Sequence, residues 1–289
     1  MITYSEHAPA PALATLVRCY WTVTGSAVDG ELSINRVLPD GCMDVIFDLA
    51  DGTREGARSY IVGAMLEAEV FQHDSTLDMV GVRFAPGAAP LFLRSPAHEL
   101  TTMIAPASAL LRDADSVLAR MQEIRSIPDR LRLLDLYLLS RLDRHGRAEL
   151  AMRGMNAIER SRGLIALPDL RYQLGSNERT LQRRFEAWVG LTPKQAVRIT
   201  RFRHALTWLF ARPRHTLARI AAICGYSDQA HLTNEFQSLA RTTPAAYLQE
   251  RGRVGFLQDP PARRDYFPGE PLNRSSAHEN ESLDTRADG

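Results

Sequence analysis

Cysteine is scarce and unpaired by number: Cys19, Cys42 and Cys224 are the only three in 289 residues, and none sits in a CxxC or Cys/His cluster. That scatter excludes a disulfide framework and a zinc finger. Cys224 reads as core, and Cys42, in a Gly-Cys-Met turn, as either a buried inert thiol or a redox-sensing one. The chain also lacks an apolar run of about 18 residues and a charged-then-apolar amino terminus, so neither a membrane span nor a secretory signal is expected, and the expected location is the cytoplasm. No Gly-rich phosphate loop and no Gly-x-Ser-x-Gly elbow occurs, and His73 and His98 show no metal-ligand spacing with each other or with the turn aspartates. No catalytic residue, metal or cofactor is therefore expected.

Net charge is also low, at +1, but it hides a division. Residues 151–253 carry 17 Lys+Arg against 7 Asp+Glu, while the remainder carries 18 against 27. A basic module joined to an acidic one suits a polyanion binder attached to a part that should avoid the polyanion. The length itself implies about two domains, each able to hold a core.

The basic segment contains a repeat. Leu170-Arg171-Tyr172-Gln173-Leu174-Gly175, followed by Leu181 and Phe185, recurs as Ile220-Ala221-Ala222-Ile223-Cys224-Gly225, followed by Leu232 and Phe236. Thr192-Pro193 and Thr243-Pro244 close the two copies. The offset is 50 up to the glycine and 51 beyond it, a single insertion. Short helix, Gly turn and second helix with a polar outer face is the plan of a helix-turn-helix, present twice. Between the copies, Pro193 to about Ala211 reads as one helix with Ile199, Phe202, Leu206, Leu209 and Phe210 on a face. At about 1.5 Å per residue it spans about 28 Å, near the roughly 34 Å between successive major grooves on one side of B-DNA.

From about Glu149 to Arg251 these residues resemble the C-terminal DNA-binding domain of the AraC/XylS regulators. Residues 174–185, together with Ile220-Ala221 and Gly225-Tyr226-Ser227-Asp228-Gln229-Ala230-His231-Leu232, carry the likeness. The resemblance implies a sequence-specific transcription regulator that binds double-stranded DNA and recruits RNA polymerase. In the first copy Leu181, Phe185 and either Trp188 or Val189 face inward, which leaves Arg179, Gln182 and Arg183 outward behind an Asn177 cap as base-contacting candidates. In the second copy the outward positions are Ala230, Thr233, Asn234 and Gln237, behind a Ser227 or Asp228 cap with Gln229 exposed in the first turn, and Gln229, Thr233 and Asn234 are the base-contacting candidates. Many relatives carry Arg where this chain has Asn234. Arg184, Arg198, Arg201 and His231 are the phosphate candidates, with Arg203, Arg214 and Arg219 further along, and His231 has a second reading as an accessory cap.

Residues 1–106 read as a β-rich sandwich or small barrel, with strands around Ala14 to Val23, Val45 to Asp48, Tyr60 to Val62 and Met79 to Phe84, and turns at Pro39-Asp40-Gly41, Asp51-Gly52 and Pro86-Gly87. The expected fold class is α+β, a β-rich regulatory domain followed by an all-α one. The resemblance implies an effector-binding part here, often a cupin-like barrel, though this chain has no cupin metal motif. Residues 38–44 and 81–87 resemble a poorly characterised type found in front of AraC-like domains. Trp21, Arg36, Asp40, Asp44 and Arg83 are the candidates for a small-molecule pocket. The alternative is a domain that serves only dimerisation or protein contact. Residues 107–148 read as a helical connector, with Leu131, Leu134, Leu138 and Leu142 on one face, either packed on its own domain or forming a homodimer contact. Residues 252–289 read as a disordered tail.

Overall fold

The computed structural model describes residues 2–26, 33–50, 58–73, 76–211 and 215–251. The tail and Arg214 lie outside the described residues, as does the turn at Asp51-Gly52. Eight strands come first: β1 Thr3–His7, β2 Val17–Gly25, β3 Ser33–Val37, β4 Asp44–Asp48, β5 Ser59–Val62, β6 Glu69–His73, β7 Leu77–Phe84 and β8 Ile104–Pro106, with a one-turn helix α1 Pro90–Leu93 before β8. Six of them form an antiparallel sheet in the order β1-β2-β7-β4-β5-β8, and β3 pairs with β6 as a separate ribbon.

Val45, Phe47, Ile61, Val80, Val82 and Phe84 are buried on one face of the sheet. Two helices, α2 Ala114–Glu123 and α3 Ile127–Arg141, cover it. Leu134, Tyr137 and Leu138 of α3 meet Val45, Phe47 and Val82 there, Phe84 stacks on Phe92 at 5.0 Å, and Tyr20 donates a 2.7 Å hydrogen bond to Asp135. Each such fully buried apolar side chain contributes about 1.5–3 kcal/mol, so the amphipathic α3 packs on its own sheet. The helix stops at Arg141, and just beyond its end Asp143 N–H donates to Leu91 O (2.8 Å).

The remaining helices are α4 Glu149–Arg160, α5 Leu167–Leu174, α6 Glu178–Val189, α7 Pro193–Ala211, α8 Leu217–Ile223, α9 Gln229–Ala240 and α10 Pro244–Arg251. Both Thr-Pro pairs are helix starts. Thr192 N–H donates to Gln195 Oε1 (2.8 Å) and Gln195 N–H to Thr192 Oγ1 (3.2 Å), a reciprocal capping box, and Thr243 Oγ1 accepts from Ala246 N–H (3.2 Å). The apolar stripe of α7 is buried between Leu181 and Phe185 of α6 and Leu232 and Phe236 of α9, with Phe202 edge-on to Phe236 at 5.2 Å. One long helix therefore supports both repeats. Among the described residues, no helix is long and apolar enough to cross a membrane.

Candidate nucleic-acid interface and a cavity under the sheet

The two repeats are built alike. In the first, α5 ends on Gly175 in the left-handed region (φ +58°), and Asn177 caps α6 by accepting from Thr180 N–H at 2.8 Å. In the second, Gly225 (φ +70°) makes the turn, and Asp228 caps α9 by accepting from His231 N–H at 2.7 Å. The first turns of α6 and α9 thus start from fixed points. On α6, Leu181, Phe185 and Val189 are buried while Arg179, Gln182 and Arg183 are exposed; Trp188 is only half-buried. Gln182 donates to Glu186 (3.0 Å), whereas no hydrogen bond or ion pair among the described residues engages Arg179 or Arg183. On α9, Gln229 and Asn234 are exposed, and Thr233 is half-buried with its hydroxyl donating to Gln229 O (2.9 Å), which leaves the methyl as the group it can offer a base.

The phosphate candidates divide. Arg184 is half-buried on α6. Arg198, expected at a phosphate, is instead fastened to α9: its Nε lies 2.9 and 2.8 Å from the two Glu235 oxygens, and its Nη2 donates to Ser238 Oγ at 2.7 Å. Arg201 lies over the Tyr226 ring, 5.0 Å from its centroid, in the turn between α8 and α9. Helical periodicity alone makes both look like free surface charge, but the packing of α7 against the second repeat turns them inward, where they hold α9. His231 takes the accessory-cap position, its Nδ1 3.1 Å from Ser227 Oγ and its ring edge-on to Tyr226.

The second feature lies on the open face of the sheet. A partly open cavity of about 300 Å³ lies between the six-stranded sheet and the β3–β6 ribbon. From the sheet it is lined by Tyr4, Trp21, Val23, Ile46, Tyr60 and Met79, and from the ribbon by Val37 and Phe71. Trp21 forms part of its floor. Its cross-strand partner is Gly81, and a Cβ at Gly81 would fall 1.9 Å from the indole, so only glycine lets the ring lie flat across β7. The indole N–H donates to Asp44 Oδ1 at 2.7 Å.

Asp44 opens a buried charge cluster at one end of the cavity. Arg83 Nε lies 3.3 Å from Asp44 and 3.5 Å from Asp40, and its Nη1 3.7 Å from Glu6. Burial pushes both aspartates up. At Asp40 the opposing pull of Arg83, then of Arg203 and Arg18, prevails and holds the carboxyl below its ordinary value, whereas at Asp44 burial and the neighbouring Asp40 charge outweigh Arg83 and raise it. Asp40 also accepts from Cys42 N–H (2.8 Å) across the turn at Gly41 (φ +77°). Burial pushes the Cys42 thiol well up and that of Cys19 to about 12, which leaves neither as a thiolate and gives the redox reading no support.

Four of the five pocket candidates, Trp21, Asp40, Asp44 and Arg83, therefore meet around one space. Arg36 does not. It precedes Val37 on β3, and strand alternation sends it to the opposite side of the ribbon, where it pairs with Glu250 (3.0 and 3.1 Å) and donates to Ala240 O (2.9 Å). The segment that leads into β6 makes two more contacts at the end of α9: Ala68 N–H donates to Leu239 O (2.8 Å), and Glu67 pairs with Arg241. Neither the aromatic walls from Tyr4, Tyr60 and Phe71 nor the Gly81 floor was visible from the sequence, because only cross-strand register brings them together. Among the described residues, no group of three or more His, Cys, Asp or Glu is arranged to hold a metal ion.

Residues 172–250 match a family described as a helix-turn-helix domain, and residues 5–106 match one described as a domain of unknown function, DUF6597. No curated protein matches the chain in sequence. Among solved structures the chain is similar to ToxT from Vibrio cholerae, at 10% identity over 86% of this chain and 98% of that one, with a TM-score of 0.42. It is also similar to an unsaturated-fatty-acid-bound form of ToxT from strain SCE256, at 11% identity over 86% and 94%, with a TM-score of 0.41.

Proposed function

We propose that this chain, a DNA-binding transcription regulator of the AraC/XylS type with an α+β fold, reads two successive major grooves with α6 and α9 under the control of the N-terminal cavity. The DNA-binding part is residues 149–251, the regulatory part residues 1–106, and residues 107–148 connect them. The observation that carries the reading is that two capped helices, both packed on α7, present exposed polar faces on which Arg179 and Arg183 have no side-chain partner among the described residues, inside a segment of strongly positive charge. Arg179 and Arg183 have the two-donor geometry for guanine, Asn234 and Gln229 that for adenine, and the Thr233 methyl suits thymine. Arg184 and residues near it supply phosphate contacts, which add affinity and salt sensitivity without sequence choice. RNA polymerase is the partner an activator of this type would recruit.

The test is selection of genomic DNA fragments by the full-length protein at near-physiological salt, beside Arg183→Ala and Asn234→Ala. The expected result is a two-element motif about one helical turn apart, with each variant degrading one element. Arg183→Ala should lose about 1–3 kcal/mol at the specific site and relax preference at one base. If Arg183→Ala left both affinity and preference intact, the reading face would be wrong.

Control from the cavity would pass through the ribbon. Val37 and Phe71 wall the cavity on one side of it, while Arg36 from the other side, and Ala68 from the segment that leads into β6, fasten it to the last turn of α9. An occupant that moves the ribbon must strain or release the end of a reading helix, which is the differential contact a ligand needs to shift an equilibrium. Arg36→Ala removes the charge-assisted bonds to Glu250 and Ala240, worth about 1.5–3 kcal/mol each at most. Amide exchange over residues 239–251 should then quicken by about tenfold or more, with α6 unchanged. Equal exchange in the two proteins would mean that the ribbon does not hold α9.

A further inference from the structure

We infer that the cavity takes a small amphipathic organic cation, an amine or quaternary ammonium on an apolar body, and not an organic anion. The inference rests on the reading of the cavity as the control site and adds the chemical class of its occupant.

Two features of the lining point the same way. Part of the wall is aromatic: Trp21, Tyr4, Tyr60 and Phe71, set among aliphatic side chains and methionines, border a space of about 300 Å³, the lower end of the roughly 300–1,000 Å³ usual for small-molecule sites. Trp21 lies with one ring face against Gly81, so its other face is the one turned to the cavity, and its N–H is already given to Asp44. Ring faces attract cations, most strongly when water is excluded.

The charged end is the second feature. Among the described residues Arg83 is the only cationic side chain in the lining, and three carboxylates stand within 3.7 Å of its guanidinium, from Asp44, Asp40 and Glu6. Its side chain is only 7% exposed. An incoming carboxylate that displaced Asp40 or Asp44 would leave that partner buried beside a new negative charge. Arg203 and Arg18 also face Asp40, so the carboxylate that an incoming ammonium engages is Asp44, which lines the cavity with Arg83 and the Trp21 N–H as its partners. Burial of an unpaired charge is strongly unfavourable, so the lining discriminates against the anion as well as favouring the cation.

The experiment uses three ligands with one apolar body and different heads: 4-phenylbutylamine, 4-phenylbutanol and 4-phenylbutyrate. Each is titrated calorimetrically into the full-length protein, its Asp44→Asn variant and its Met79→Trp variant, which fills the cavity. The amine should bind about tenfold more tightly than the alcohol, and the butyrate more weakly than both. Asp44→Asn, which keeps an acceptor for the Trp21 N–H, should bring the amine to within about twofold of the alcohol while leaving alcohol binding unchanged. The unchanged alcohol is the check that the cavity is intact. Met79→Trp should abolish binding of all three. Tightest binding by the butyrate would overturn the cation inference while leaving the cavity as a control site. Amine binding indifferent to both substitutions would mean a surface site and would also overturn it, as would binding of none of the three. Whether control from the cavity survives is then decided separately, by whether Met79→Trp alters affinity for the selected DNA.

Discussion

Replacing Arg83 by methionine is expected to cost about 3–5 kcal/mol of stability at neutral pH, the usual loss when one partner of a buried ion cluster is removed and the others stay behind unpaired. Asp40 and Asp44 are both nearly buried, and Arg83 is the cation nearest to each. Without it, burial and the Asp40 charge act on Asp44 against the Trp21 hydrogen bond, and at Asp40 burial acts against the remaining pull of Arg203, of Arg18 and of the Cys42 N–H. Both carboxyls should then have folded-state values above their unfolded ones. The folded variant would bind protons more readily than the unfolded chain, and its stability would rise as the pH falls. The native protein differs, because its lowered Asp40 contributes stability that is present above the unfolded value and is lost on acidification, while its raised Asp44 acts in the opposite sense. Urea unfolding at pH 7 and pH 5 checks both points: the deficit of Arg83→Met should be large at pH 7 and smaller at pH 5. A second variant that also carries Asp44→Asn should recover part of the loss. A deficit below about 1 kcal/mol, the level of an exposed pair, would mean that the cluster is solvated and that the charge argument for the cavity fails with it.

What could be read in advance depended on whether the signal was local. Both repeats and the limits of α7 follow from short-range chemistry, the Gly turns at Gly175 and Gly225 and the capping box at Thr192 and Gln195, so α7 runs from Pro193 to Ala211 as its pattern indicates. Strands β2, β4, β5 and β7 announce themselves by β-branched and aromatic residues. By contrast β1 (TYSEH) and β6 (EVFQH) are short and polar, and β8 is three residues ending in proline, so only their partners make them strands. The partners of Arg36 and Arg198 are not legible in the sequence for one reason: a charged residue looks alike on either side of a strand or helix until a neighbour is docked on it. Arg36 meets α9 and α10, and Arg198 meets Glu235, both far away in sequence. The cavity was half legible. Its polar end sits in the distinctive segments around Asp40 and Arg83, whereas the Trp21–Gly81 floor is a matter of register between two strands 60 residues apart.

Gly163→Ala is expected to cause the largest loss in the helical half, about 3 kcal/mol or more. Gly163 follows the end of α4 with φ +71°, and a Cβ there would stand 2.5 Å from Arg201 N and 2.6 Å from Val197 O. Those are backbone atoms of α7, hydrogen-bonded within a helix, and cannot give way as the tip of a side chain can. The substitution must therefore either push α4 off α7 or distort the helix that carries both readers. Gly175→Ala is the matched control: its φ is also positive, at +58°, but nothing lies within 4 Å of the position a Cβ would take. It should cost only the strain of left-handed backbone, about 1–2 kcal/mol. In thermal unfolding the Gly163 variant should fall by about 6–12 °C and the Gly175 variant by about 2–8 °C, at roughly 2–4 °C per kcal/mol for a chain of this size. Since the two positions share their backbone strain, any difference between them measures the close approach of α4 to α7. Equal losses would mean that α4 does not rest on α7. The spacing of α6 and α9 would then depend on α7 alone, and specific DNA affinity per folded molecule should be indifferent to Gly163.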